Sequence, residues 1–507
     1  MTLAVSAFGQ TNACPVVNAA PLTNADKAYS AERYADAESL YATALEQHPN
    51  SIALKAALVR TLLHEGKLSE AASEMEGISP DDSHSAVTLT ALAEVELQQG
   101  LPWLAVKSLD AAQSTDRCYA RAHLLRSRVM GVDSMYASQR QEILQAYAID
   151  PTDADIARAW KEIVEPANQI ESIERARGEM RALDAKTRQN VEASVQSLMA
   201  RLSENSQTCK VSPTAAAATL PLLPTLEDKD QHIDRYQIEA QLPQGSAKLL
   251  VDTTASGVFI SRAMAELNHL RPAAGAPLAT VHVDDLKIGP LEFHDCTVGV
   301  SDARFPDKAD GMIGTDMFAP YLITLDFRLK ELRLAPLPPQ NGLLPGDRVA
   351  LPEMKGYVPV YHWRQFLLIP VTVDKKERRL FVAGTGATYT TMALDVARAV
   401  SKPGRDFTYE MQTVSGAKEE FYRDHFDLRF ANLPVIQHRS IVEYDLATVS
   451  KNAGVQVAGI LGLDILDSLV VHLDYRDGLV RFEVANMRLT PKVSDPDSYS
   501  VNLDAMH

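Results

Sequence analysis

The 507-residue chain carries only four cysteines, Cys14, Cys118, Cys209 and Cys296, and no two are close enough to form a C-x-x-C pair. That spacing suggests neither a zinc site nor a small fold stapled by disulfides. Thirteen histidines occur without an H-x-x-x-H or H-E-x-x-H pattern, so no metal-ligating set for a hydrolase is visible and no metal is expected. No apolar run reaches the roughly 18 residues that a membrane-spanning helix needs. Positive charge is in deficit: 50 Lys and Arg face 66 Asp and Glu, a formal charge of −16. Nucleic acid and anionic membrane both require positive surface, so neither is expected as a main partner. The stretches "MIGTDMF" and "GTGAT" lack the lysine and the spacing of a phosphate loop, and no cofactor is expected.

What is present begins with a repeat. Ala37, Ala71 and Ala105 are spaced by 34 residues, as are Gly66 and Gly100, and Ala112 and Ala146. Pro49 and Pro151 stand three periods apart. Small residues where helices would cross, with proline after the second helix, resemble the tetratricopeptide repeat. About four units fit residues 24–160. A helix pair of this kind cannot bury its apolar face alone, so the units are expected to stack into a solenoid. The resemblance implies a surface that binds a protein partner or substrate. Residues 161–206 continue with apolar residues at helical spacing and are expected to cap the array. Residues 207–232, rich in Pro, Ala and Thr, read as a linker. Residues 1–23 read as a tail or as the trimmed end of a secretory signal. The second reading places the protein outside the cell or in the periplasm, the first in the cytoplasm.

From residue 233 the pattern shifts to short runs of period two, the mark of strands separated by Gly, Pro and Asp turns. One unit then recurs. "AKLLVDTTASGVFIS" (247–261) parallels "RRLFVAGTGATYTTM" (378–392), and Gly311-Met-Ile-Gly314-Thr-Asp316 parallels Gly459-Ile-Leu-Gly462-Leu-Asp464. Asp-Thr-x-Ala-Ser followed by a hydrophobic-Gly-x-Asp element, present in duplicate, resembles the aspartic peptidases, especially the retropepsin-like branch. The expected architecture is therefore multidomain α plus β: an N-terminal α-solenoid and a C-terminal bilobal all-β region. Lobe 1 is expected at 233–340, lobe 2 at 341–486 and a tail at 487–507.

The resemblance implies hydrolysis of a peptide bond by two facing carboxylates that share a proton, because both cannot ionise side by side. Asp252 is the candidate acid/base and Thr253 the brace. Thr254 stands where a glycine would keep the turn slim. In the second turn Thr385 and Gly386 fit brace and turn, but Gly384 offers no carboxylate, and Glu377 and Asp395 lie too far along the chain to replace it. Val414, Ser415 and Gly416 are the expected tip of a flap that covers the cleft from lobe 2. Two readings stand at this point. Asp252 works with a carboxylate from elsewhere, such as Asp252 of a second copy in a homodimer. Alternatively, the domain is a non-catalytic peptide-binding or scaffold pseudopeptidase. Asp316 and Asp464 are expected to bond nearby backbone.

Overall fold

In the computed structural model the described residues are 14–17, 21–76, 78, 82–168, 209–211, 217–226, 233–271, 279–302, 305–339, 345–349, 351–374, 378–400, 408–409, 419–422, 426–431, 433, 436–438 and 441–484. The chain divides into two compact units, one made of residues 1–131 with 136–179, the other of 132–135 with 180–507.

The first unit is helical. Its elements are α1 (Asn24–Ser30), α2 (Tyr34–Gln47), α3 (Ile52–His64), α4 (Leu68–Glu76), α5 (Ala86–Gln98), α6 (Pro102–Thr115), α7 (Ala120–Val132), α8 (Tyr136–Ile149) and α9 (Ala154–Ala159). Local chemistry fixes their ends. Ser51 and Ser85 cap α3 and α5 by accepting from the backbone N–H of Leu54 and Thr88, and Pro102 opens α6. Gly66 and Gly100 follow α3 and α5 at φ of 76° and 71°, a left-handed conformation that glycine adopts without strain. The 34-residue period has a packing meaning: Ala37, Ala71 and Ala105 are all fully buried, one small residue per unit where helices cross. Helix continues through residue 168, and the remainder of the expected capping segment lies outside the described residues.

The second unit is rich in strands, and its two halves are built alike. In the first half, strand Gly245–Asp252 runs parallel to Gly311–Gly314, which pairs antiparallel with Val258–Ser261. In the second, Arg378–Ala383 runs parallel to Gly459–Leu461, which pairs antiparallel with Thr391–Ala393. Each half forms its own sheet around this core, and a six-stranded sheet joins them. At the centre of that third sheet Ile323 opposes Leu473 and Leu325 opposes Val471. The equivalent residues of the two halves have thus exchanged places, which is the signature of a local twofold axis.

Two expectations are corrected here. All four cysteines are paired, Cys14 with Cys118 and Cys209 with Cys296. Sequence distance hid both pairs, because the fold closes separations of 104 and 87 residues. The stretch 207–232 is also more than a linker. Lys210–Val211 pairs with Leu291–Ser301, Ala218–Pro221 with Glu331–Pro336, and Leu223–Leu226 with Ile233–Leu242. These strands are short and carry prolines, Pro221 and Pro224, a composition that reads as a connector but is tolerated at sheet edges.

Candidate active site

The two duplicated turns meet back to back. Each follows a strand that ends in a continuous buried apolar run, residues 249–251 in one and 380–383 in the other. Thr253 and Thr385 are both buried and clasp each other across the junction of the halves. The Thr253 N–H donates to Thr385 Oγ1 and the Thr385 N–H to Thr253 Oγ1, each at 3.1 Å. Each hydroxyl then donates onward to the other half, Thr385 to the Val251 carbonyl at 2.8 Å and Thr253 to the Ala383 carbonyl. Four hydrogen bonds thus use both hydroxyls and both N–H groups of the pair. A hydroxyl at both positions is what that closed circuit requires, because each must accept and donate at once.

Asp252 sits half-buried at the end of its strand. Its Oδ1 accepts from Thr254 twice, from the backbone N–H at 2.8 Å and from the hydroxyl at 2.7 Å. The residue that breaks the slim-turn pattern therefore holds the carboxylate. Across the junction Gly386 presses its backbone against the same side chain: a Cβ there would collide with Asp252 Oδ2. Glycine is required at this position by contact, not by dihedral angle.

Gly384 is the counterpart of Asp252. Its N–H donates to the Leu461 carbonyl at 2.9 Å, which keeps the turn in place without an acid. The space that a side chain would take is filled: a Cβ on Gly384 would collide with Ile460 Cγ2 and come within 3.5 Å of Thr254 Cγ2. Ile460 is a site-lining residue that motif matching passes over. Its position one residue after Gly459, opposite Thr391, is the only signal that could have marked it. Glu377 lies outside the described residues, and Asp395 accepts from Gln456 Nε2 at 2.9 Å. Within the chain, the Gly386 backbone lies against Asp252. The flap residues Val414, Ser415 and Gly416 fall outside the described residues.

A pair of carboxylates, Asp316 and Asp464, buttresses the turns. Asp316 accepts from Ser256 Oγ at 2.7 Å and from the Gly257 N–H at 3.0 Å. Burial pushes its carboxyl up, against the pull of those hydrogen bonds. Asp464 accepts from the Thr390 N–H at 2.9 Å and its hydroxyl at 2.7 Å. Arg235 ties the second turn to the first half: its Nε–H donates to the Gly386 carbonyl at 3.0 Å and its Nη1 to Asp307 at 3.2 Å. Among the described residues no cluster of His, Cys, Asp and Glu is arranged to hold a metal ion.

Two family models match separate stretches of the chain. Residues 28–93 match the tetratricopeptide repeat family and residues 238–317 match the aspartyl protease family. No curated protein matches the sequence. Among solved structures the chain is similar to an aspartic proteinase from Irpex lacteus, at 12% identity and a TM-score of 0.35, over 54% of this chain and 99% of the other. It is also similar to a thermophilic TPR protein of Thermus thermophilus, at 18% identity and a TM-score of 0.25, over 35% of this chain and 95% of the other. The chain thus joins tetratricopeptide-like repeats at its N-terminus to an aspartyl-protease-like, strand-rich C-terminal region.

Proposed function

We propose that this protein binds peptide segments of a partner or substrate, recruited by its repeats, and that its aspartyl-protease-like cleft has lost most or all power to cleave them. The carrying observation is the filled seat at Gly384. One carboxylate faces a glycine turn, with Ile460 in the space of the other. General acid and general base then cannot be divided between two carboxyl groups whose pKa values are driven apart. The intact threonine clasp supports retention of the cleft as a binding frame. The two disulfides favour the reading in which the chain works outside the cytoplasm, since such bonds persist in oxidising compartments.

The test is cleavage of a mixed peptide library between pH 3 and 7 by the native chain and by Asp252→Asn, with peptide retention measured in parallel. Retention without cleavage by either is the expected result. Cleavage by the native chain that disappears in Asp252→Asn would overturn the loss-of-cleavage reading and make Asp252 a working acid.

A further inference from the structure

In a repeat array each unit touches only its neighbours, so the first and last helices stay apart. This array departs from that rule. The Tyr29 hydroxyl on α1 donates to Asp155 Oδ2 on α9 at 2.7 Å, in a buried position and across 126 residues of chain. Glu32, just after α1, pairs with Arg158 of α9 at 3.0 Å. The Val17 N–H donates to the carbonyl of Ile149, the last residue of α8, at 2.7 Å. Cys14 is bonded to Cys118, 104 residues on, in the loop before α7. Asp155 is the centre of the closure. It is 3% exposed and also receives Arg121 of α7 and Arg158, each at 3.2 Å, which is the pairing that a buried carboxylate needs.

The odd-numbered helices thus form a closed circuit. α1, α3 and α5 share a buried core that includes Tyr29, Val59 and Ala91. Arg128 of α7 donates to Glu94 of α5 at 2.8 Å. Leu124 of α7 and Ile156 of α9 share a second core, and Asp155 returns the circuit to α1. The space lined by Arg60, Glu94, Arg121 and Arg128 is about 10 Å³, room for one water and not for an extended peptide. The two disulfides differ in access. Cys209 and Cys296 are 4% and 0% exposed, whereas Cys14 and Cys118 are both partly exposed. Cys14 rests on the second core, but residues 15–17 after it are exposed.

We propose that the Cys14–Cys118 bond is a redox latch that holds the repeat array closed, and that its reduction by a dithiol lets α1 part from α9 and opens the face lined by Arg60, Glu94 and Arg128. One thiolate of the dithiol attacks an accessible sulfur and forms a mixed disulfide, which the second thiol then resolves. Two electrons and two protons pass to Cys14 and Cys118, which become thiols, and the dithiol becomes a disulfide. The dithiol belongs to another molecule, because all four cysteines of this chain are paired. Once the covalent link is gone, α1 is held to α9 by the Tyr29 hydrogen bond and by the partly exposed Glu32–Arg158 pair, a kind of contact that contributes little. What the opened face binds rests on the proposed recruitment of peptides by the repeats; the latch does not.

The experiment is hydrogen exchange of the full chain, read by segment at short times, where local opening outweighs unfolding of a whole unit. The native chain is compared with and without dithiothreitol, and with the Cys14→Ser/Cys118→Ser variant. Alkylation of freed thiols should label Cys14 and Cys118 before Cys209 and Cys296. Opening should speed exchange in 14–17, α1 and α9 by roughly tenfold or more, with α3 and α5 unchanged. Tyr29→Phe should add little in the oxidised chain and a further severalfold in the reduced chain or the serine variant. A hydrogen bond that is merely structural would respond equally in both states. Retention of library peptides is measured on the same samples. Retention that rises with exchange supports the latch and makes the opened face the peptide site. Faster exchange with unchanged retention supports the latch and counts against recruitment by this face. Exchange in α1 and α9 that is equal with and without reductant, or that rises alike through α3 and α5, would overturn the proposal and make the bond a structural staple. So would labelling of Cys209 and Cys296 as fast as Cys14 and Cys118.

Discussion

The two turns of the aspartyl-protease-like region have the same clasp and opposite contents. At residue 252 a carboxylate is tied down by the next-but-one threonine. At residue 384 the carboxylate is absent, and an isoleucine from the neighbouring strand has moved into its space. The clasp between them needs both threonines and has stayed complete. The clasp is therefore a separate requirement from the acid: its buried hydrogen bonds join the halves whatever stands at residue 252 or 384.

The largest expected effect comes from the covalent links, which differ between the two units. Replacing Cys209 and Cys296 with serine should destabilise the strand-rich unit by about 2–4 kcal/mol, and replacing Cys14 and Cys118 should do the same for the repeats. Separate denaturant transitions would show whether each loss stays in its own unit. A single shared loss would break the picture of two independent bodies.

The asymmetry of the turns can be attacked next. Gly384→Asp alone should cost roughly 1–3 kcal/mol by overpacking against Ile460, with no gain in cleavage. Combining it with Ile460→Ala and Thr254→Gly should recover the stability and yield pepstatin-sensitive cleavage of library peptides. Cleavage from the single substitution would show that Ile460 is no obstacle. The clasp predicts a comparable loss, about 1–3 kcal/mol, for Thr253→Val or Thr385→Val, since each leaves the other threonine's buried N–H unpaired and removes a bond to a buried carbonyl. The double variant should lose less than the sum.

A smaller contrast lies beneath the cleft. Asp326 and Asp474 end equivalent strands. Asp326 accepts from the Leu329 N–H at 3.0 Å and from Arg333 at 3.2 Å. Asp474 accepts from the Asp477 N–H at 3.0 Å, but its Oδ2 is buried without a partner. Burial raises the Asp474 carboxyl to about 6. A carboxyl raised in the folded state favours folding when protonated. Its contribution is full below about pH 4 and is lost as pH rises through about 6. Asp474→Asn should therefore raise Tm at pH 7.5 and have little effect at pH 4. Asp326→Asn should lower Tm at pH 7.5 by removing the buried carboxylate that Arg333 Nη2 donates to, which leaves Arg333 only its longer contact with Glu331 at 3.4 Å. Tm measured across this range for both variants checks the contrast.

Much of this was legible in the sequence because periodicity survives substitution. The 34-residue spacing predicted the buried alanines, and the paired turns predicted two like halves meeting at Thr253 and Thr385. Asp316 and Asp464 bond the backbone as the motif implied. Other features depend on distance in space. The cysteine pairs cross separations that no local pattern encodes. Ile460 fills its seat from a strand 76 positions further along the chain than Gly384. The edge strands in 207–232 are too short and too rich in proline to show a period.

The clasp has a further consequence for how the molecule comes into being. Thr253 and Thr385 are 132 residues apart, so their hydrogen bonds cannot form until the first half is complete and the second has been synthesised past residue 385. Contacts of such long range close late, after the entropy of a large loop has been spent. Until then the first half presents an exposed junction with unpaired backbone, the surface on which a nascent chain is most vulnerable to wrong partners.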